Sequence, residues 1–146
     1  MMPQAHPARN GKPCSSSVRI ASDPAEARRI QQEIEQVLKA LNYSEPDIFG
    51  IKLAIEEALV NAIKHGNQMD RSKNVHIDYH VRAEEFEIAI ADEGPGFSEC
   101  DVPDPTNPEN IERCCGRGLM LMKHYMSEVS FSSAGNSVHM RKLLKK

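Results

Sequence analysis

The sequence predicts an α+β domain, a mixed but mostly antiparallel sheet with helices stacked on one face. Two successive stretches, 24–41 and 45–65, carry apolar residues at helical spacing. Two pairs of short segments read as strands, each pair joined by a short turn. The resulting order, β-α-α-β-β-loop-α-β-β, places strands consecutively, which favours antiparallel pairing and a two-layer sandwich. At 146 residues the chain is long enough for one domain with a sizeable core, and no internal repeat is visible.

Composition narrows the partners. Charged residues make up 27% and hydrophobic residues 40%, with a formal net charge of −3. Such a surface has no general attraction for nucleic acid or anionic membrane. No apolar run approaches the roughly 20 residues of a membrane span. The first residues, MMPQAHPARNGKPCSSS, lack the apolar stretch of a secretory signal. The expectation is a cytoplasmic protein with reduced thiols at Cys14, Cys100, Cys114 and Cys115. The spacing of Cys100, Cys114 and Cys115 matches no zinc module.

Residues 1–16 are rich in Pro, Ser, Gly and basic side chains and read as a flexible tail, leaving 17–146 as the folded domain. Residues 18–21 suit a short strand. Asp23 can cap a helix, with Pro24 in its first position and Glu26 at the capping-box position. Ile30, Ile34, Val37, Leu38 and Leu41 form the apolar stripe, and Asn42-Tyr43 ends it. Ser44 can cap the second helix, with Pro46 in its first turn. Val75, Ile77, Tyr79 and Val81 alternate with polar residues, and Phe86, Ile88 and Ile90 repeat the pattern after a turn near Ala83-Glu84. The same period puts Asp92 on the apolar side, where a carboxylate is costly unless a hydrogen-bond donor meets it. Residues 93–115 hold four of the nine prolines and read as a long irregular loop. Gly116-Arg-Gly118 opens an apolar helix over 119–126. Two strands, 128–133 and 137–144, close the chain around Ala134-Gly135-Asn136.

Three short motifs carry chemistry. In the second helix, "EEALVNAIKHGN" aligns Glu57, Asn61 and His65 four residues apart, with Lys64 beside them and a stop at Gly66. Asn is a poor mid-helix residue, which separates this row from an ordinary solvated face. "ADEGPGF" supplies Asp92, Gly94 and Gly96 after a strand, where glycines allow tight turns and close approach to a ligand. "GRGLMLM" places Gly116 and Gly118 at a helix start, where free amides and the helix dipole favour an anion. It is no Walker-type loop, and no parallel βαβ unit surrounds it, which argues against a Rossmann site.

Taken in order, Glu-x-x-x-Asn, Asp-x-Gly-x-Gly, a long loop and Gly-x-Gly-Leu resemble the GHKL ATPase superfamily with its Bergerat nucleotide fold. The chain is most similar, over about 18–144, to the bacterial anti-sigma-factor serine/threonine kinases. The resemblance implies roles. Asn61 would bind Mg²⁺ through its carboxamide oxygen. Glu57 would be the general base for a protein serine or threonine hydroxyl. Asp92 would receive the adenine amino group, with Gly94 and Gly96 passing the adenine edge. Gly116, Arg117, Gly118 and Leu119 would wrap the phosphates, and about 98–115 would form the ATP lid. Ser137 stands near the family's adenine-side threonine. His65 is a ligand-shell candidate, and Arg113 resembles a partner-contacting arginine. The implied ligands are ATP or ADP and Mg²⁺. The implied partners are a sigma factor, a STAS-domain antagonist phosphorylated on serine, and a second copy in a homodimer. Two other readings stay open, a nucleotide-sensing module without phosphotransfer and a detached histidine-kinase ATPase domain. Glu57 favours catalysis over mere sensing. The absence of a segment bearing a phosphoacceptor histidine disfavours the detached domain.

Overall fold

The computed structural model describes residues 13–94, 114–132 and 136–144, with the backbone alone for 114–119. Residues 1–12 of the expected tail, most of the expected lid, Gly96 and Arg113 lie outside the described residues. Five strands form one sheet in the order β1-β2-β3-β5-β4. They are β1 (Cys14–Ala21), β2 (Asn74–Val81), β3 (Glu85–Ala91), β4 (Glu128–Phe131) and β5 (Ser137–Leu143). All four pairings are antiparallel. The expected α+β architecture is present, and its sheet is antiparallel at every described contact.

The register explains the core. Ser16, Tyr79, Ile88, Met140 and Val129 stand in one row across the sheet, and Val18, Ile77, Ile90, Val138 and Phe131 in the next. Alternation sends these rows towards the helices. Tyr79, Phe86, Ile77, Ile88 and Ile90 are fully buried there. Each large side chain so buried contributes ~2 kcal/mol from its apolar surface. The intervening residues, among them His80, Glu87, Arg141, Asp78 and His139, form the open polar face.

Helix α1 (Pro24–Ala40) begins where Asp23 accepts a hydrogen bond from the Ala25 amide at 2.9 Å. Glu26 pairs with Arg29 instead of closing a capping box. The helix ends in a Schellman-type turn. Asn42 takes φ 62°, and the Tyr43 and Asn42 amides donate back to the Leu38 and Lys39 carbonyls. Helix α2 (Glu45–Val60) is capped by Ser44, which accepts from the Asp47 amide at 3.2 Å. It continues directly into a π-helical turn, Asn61–Gly66. Helix α3 (Cys114–Tyr125) packs on α2. A methyl group at Gly50 would sit 2.8 Å from the Tyr125 ring, so the two helices cross without room for a side chain there.

Two boundaries differ from expectation. Strand β1 starts at Cys14, so residues 14–16 belong to the sheet and not to the tail. Ser15 and Ser17 face outward, and an edge strand can pair through its backbone without apolar side chains. Helix α3 starts at Cys114, so Cys114-Cys115 and Gly116-Arg-Gly118 lie inside its first turns instead of preceding it.

Candidate functional site

The widened turn at the end of α2 organises the site. The Asn67 amide donates to the Ala62 carbonyl at 2.8 Å, five residues back, and the Met69 amide reaches the Ile63 carbonyl, six back. Such π-type turns are rare and concentrate at functional places in helices. Glu57 still sits one α-turn from Asn61, because the Asn61 amide donates to the Glu57 carbonyl. Both side chains are half-buried, and neither has a hydrogen-bond partner among the described residues. A carboxylate and a carboxamide held half out of water with open acceptors suit a cation and a proton donor.

The turn ends against β3. A Cβ on Gly66 would lie 2.2 Å from the Asp92 carboxyl carbon, and one on Gly94 would lie 1.9 Å from the Gly66 carbonyl oxygen. Neither glycine lies in the left-handed φ region. Close approach of two chain segments excludes a side chain here, not a special backbone conformation. Gly94 is thus needed to pass the π-turn itself, whatever it also does beside a ligand.

Asp92 is half-buried, as its alternation with Ile90 implies. Its Oδ1 accepts the Gly94 amide at 2.8 Å. Burial pushes its carboxyl above the ordinary aspartate range, opposed by that amide and by the positive charge of Lys73. Its amide donates to the Asn136 carbonyl at 2.8 Å, and Asn136 Nδ2 reaches the Asp92 carbonyl at 3.3 Å. The site therefore holds a poorly solvated acid against Gly66, at the far end of the π-turn that Asn61 opens.

The other candidates fall differently. Ser137 pairs with Ala91 in the sheet, and alternation with buried Val138 and Met140 turns it to the open face with His139. The residue that meets Asp92 is its neighbour Asn136. His65 is exposed, with no partner among the described residues. Lys64, beside the row, lines a groove of about 290 Å³ between α1 and α2 with Arg28, Gln31 and Glu56. A helix that begins at Cys114 has its amides bonded from residue 117 onward, so Gly116 lies among the first-turn residues with free N–H groups while Arg117, Gly118 and Leu119 enter the hydrogen-bonded helix. Sequence reasoning missed Asn67, Ser22 and Asn136. Asn67 and Ser22 are polar residues at 0% exposure, a property that no periodicity announces.

The acid at the strand end, the open Glu–Asn turn and the helix packed on α2 are the three elements of this α+β domain that carry the sequence motifs. Residues 20–142 match the histidine kinase-like ATPase domain, and the chain belongs to that GHKL-type family. It is 30% identical over 122 residues to serine-protein kinase RsbW of Bacillus licheniformis, covering 79% of this chain and 76% of that protein. It is 28% identical over 134 residues to serine-protein kinase RsbW of Bacillus subtilis, covering 87% and 84%. Anti-sigma F factor of Oceanobacillus iheyensis shares 35% identity over 102 residues, covering 66% and 69%. In fold, the chain is similar to the crystal structure of the RsbU and RsbW domains of a Mycobacterium tuberculosis protein. The TM-score is 0.62 at 15% identity, over 90% of this chain and 33% of that one.

Proposed function

We propose that this chain is an ATP-dependent serine/threonine protein kinase that also acts as an anti-sigma factor. In this reading it binds a sigma factor and phosphorylates a serine on a STAS-domain antagonist, in the cytoplasm and as a homodimer. The names of its relatives support the kinase and anti-sigma roles. The observation that carries the nucleotide part is Asp92, an acid kept half-buried and rigid below the π-turn. The Gly94 amide engages one of its oxygens, which leaves acceptor capacity for a purine amino group.

Glu57 would take the proton of the attacking serine hydroxyl. That oxygen bonds to the γ-phosphorus while the bond to the departing ADP oxygen breaks. A positioned general base of this kind contributes about 10²–10⁴-fold. Asn61 would hold Mg²⁺ through its carboxamide oxygen, and its open, half-buried carboxamide fits that task. Mg²⁺ would supply charge neutralisation on the phosphates. Gly116, in the first turn of α3, would offer a free amide to phosphate oxygens, with Arg117, Gly118 and Leu119 following.

The test pairs nucleotide retention with transfer of labelled phosphate to a STAS-domain substrate. Glu57→Ala should keep ATP and lose at least about a hundredfold in transfer. Asn61→Ala should lose the Mg²⁺ dependence of binding together with transfer. Unchanged transfer in either variant rejects the assignment. ATP binding without transfer in the wild type selects the sensing module instead.

A further inference from the structure

Asn67 is the most thoroughly engaged side chain near the site, and it touches none of the groups assigned above. It is fully buried. Its Nδ2 donates to Ser22 Oγ at 2.8 Å and to the Asn74 carbonyl at 2.9 Å. Its Oδ1 accepts the Glu93 amide at 2.7 Å. Ser22 in turn donates to the Lys73 carbonyl at 2.8 Å. One carboxamide thus joins the exit of β1, the entry to β2, the exit of β3 and the end of the π-turn. Both donors and the acceptor are in use, a combination that no carboxylate, hydroxyl or imidazole supplies.

The consequence falls on one residue. A residue has two soft backbone dihedrals, fixed once the peptide planes on either side are fixed. The plane before Asp92 is held by its amide on the Asn136 carbonyl. The plane after it is held on one side by Asn136 Nδ2 and on the other by the Glu93 amide on Asn67. The direction of the Asp92 side chain is therefore set from outside the residue. Glu93, whose carboxylate takes the Asn74 amide and pairs with His76, braces the same peptide.

We propose that Asn67 is a positioning residue for base recognition, holding the Asp92 carboxylate under Gly66 in the orientation that receives a purine amino group. This deepens the proposed function and rests on its assignment of Asp92. Asn67 acts through Asp92 without touching the nucleotide. Its loss should weaken the contact to the amino group specifically.

The experiment compares ATP with purine riboside triphosphate, which lacks that amino group, by equilibrium binding to the full chain. The wild type should prefer ATP by about tenfold, the worth of one good buried hydrogen bond. Asp92→Ala should erase the preference. Asn67→Ala should erase most of it while affinity for the analogue stays within about twofold, and the double variant should lose nothing more. An Asn67→Ala protein that melts cooperatively and keeps the wild-type preference overturns the proposal. Should Asn67→Ala not fold, Ser22→Ala decides, because it removes one of the three partners. An intermediate preference supports the proposal and an unchanged one overturns it. A wild type without preference, or an Asp92→Ala protein that retains it, rejects the underlying purine assignment instead.

Discussion

Replacing Gly94 by alanine should damage stability, whereas replacing Gly66 should damage ligand binding. At Gly94 the new methyl would stand 1.9 Å from the Gly66 carbonyl oxygen and 2.5 Å from its carbonyl carbon. Both obstacles are backbone. Relief to an ordinary contact requires the strand exit and the π-turn to part by about 1.5 Å, which strains the hydrogen bond from the Glu93 amide to Asn67 that spans that gap. Overpacking against backbone costs about 2–3 kcal/mol. For a domain of this size that lowers Tm by about 8 °C. At Gly66 the nearest obstacle to the new methyl is the Asp92 carboxyl, at 2.2–2.6 Å, and a side chain can rotate away. The stability loss should be nearer 1 kcal/mol, but the acid leaves its position, and ATP affinity should fall at least about tenfold. Thermal unfolding followed by circular dichroism, with calorimetric titration of ATP, separates the two. A Gly94→Ala protein melting within about 2 °C of wild type would falsify the close-approach argument. A Gly66→Ala protein with undiminished affinity removes the link between the turn and the acid.

Two further outcomes test the site and the frame that holds it. Burial raises the Asp92 carboxyl above its ordinary 3.8, so the folded chain holds that proton more firmly than the unfolded one. Its stabilising contribution is complete below 3.8 and is lost as pH rises through the folded value. Asp92→Asn should then melt above wild type at pH 7, with the difference shrinking as pH falls towards 3.8, while losing ATP. A variant less stable than wild type at pH 7 contradicts the desolvation account. Ser44→Ala removes the acceptor for the Asp47 amide at the start of α2. It should lower unfolding free energy by about 1 kcal/mol in urea titration, leaving the ratio of ATP to analogue affinity unchanged. An altered ratio would mean that the capped end of α2 reaches the site.

Much of the scaffold was legible in local signals. Asp23 and Ser44 cap the helices that their spacing to Pro24 and Pro46 announced. Alternation in 74–91 specified which side of β2 and β3 faces the helices, and carrying it past Ile90 put Asp92 on the inner side. These readings succeed because capping and two-residue alternation are short-range rules that few residues enforce. Where backbone pairing alone decided, the reading fell short. The Ser-rich start of β1 looked like a tail until the strand beside it supplied partners.

By itself, the chain determined the order of its elements, the inward rows of the sheet and the set of polar residues from which a site could be made. Only the fold decided which of them meet. Asn67 looked like a helix stop, yet packing buried it, and burial obliged its amide to find partners 45 and 26 residues away. Lys64 lines the α1–α2 groove, and strand alternation turns Ser137, a candidate only through the family resemblance, to the open face of the sheet. The meeting of Gly66 with Asp92 and Gly94 depends on two chain segments, the π-turn and the exit of β3, approaching without room for a side chain. Such contacts between distant segments exist only after the sheet and helices have docked.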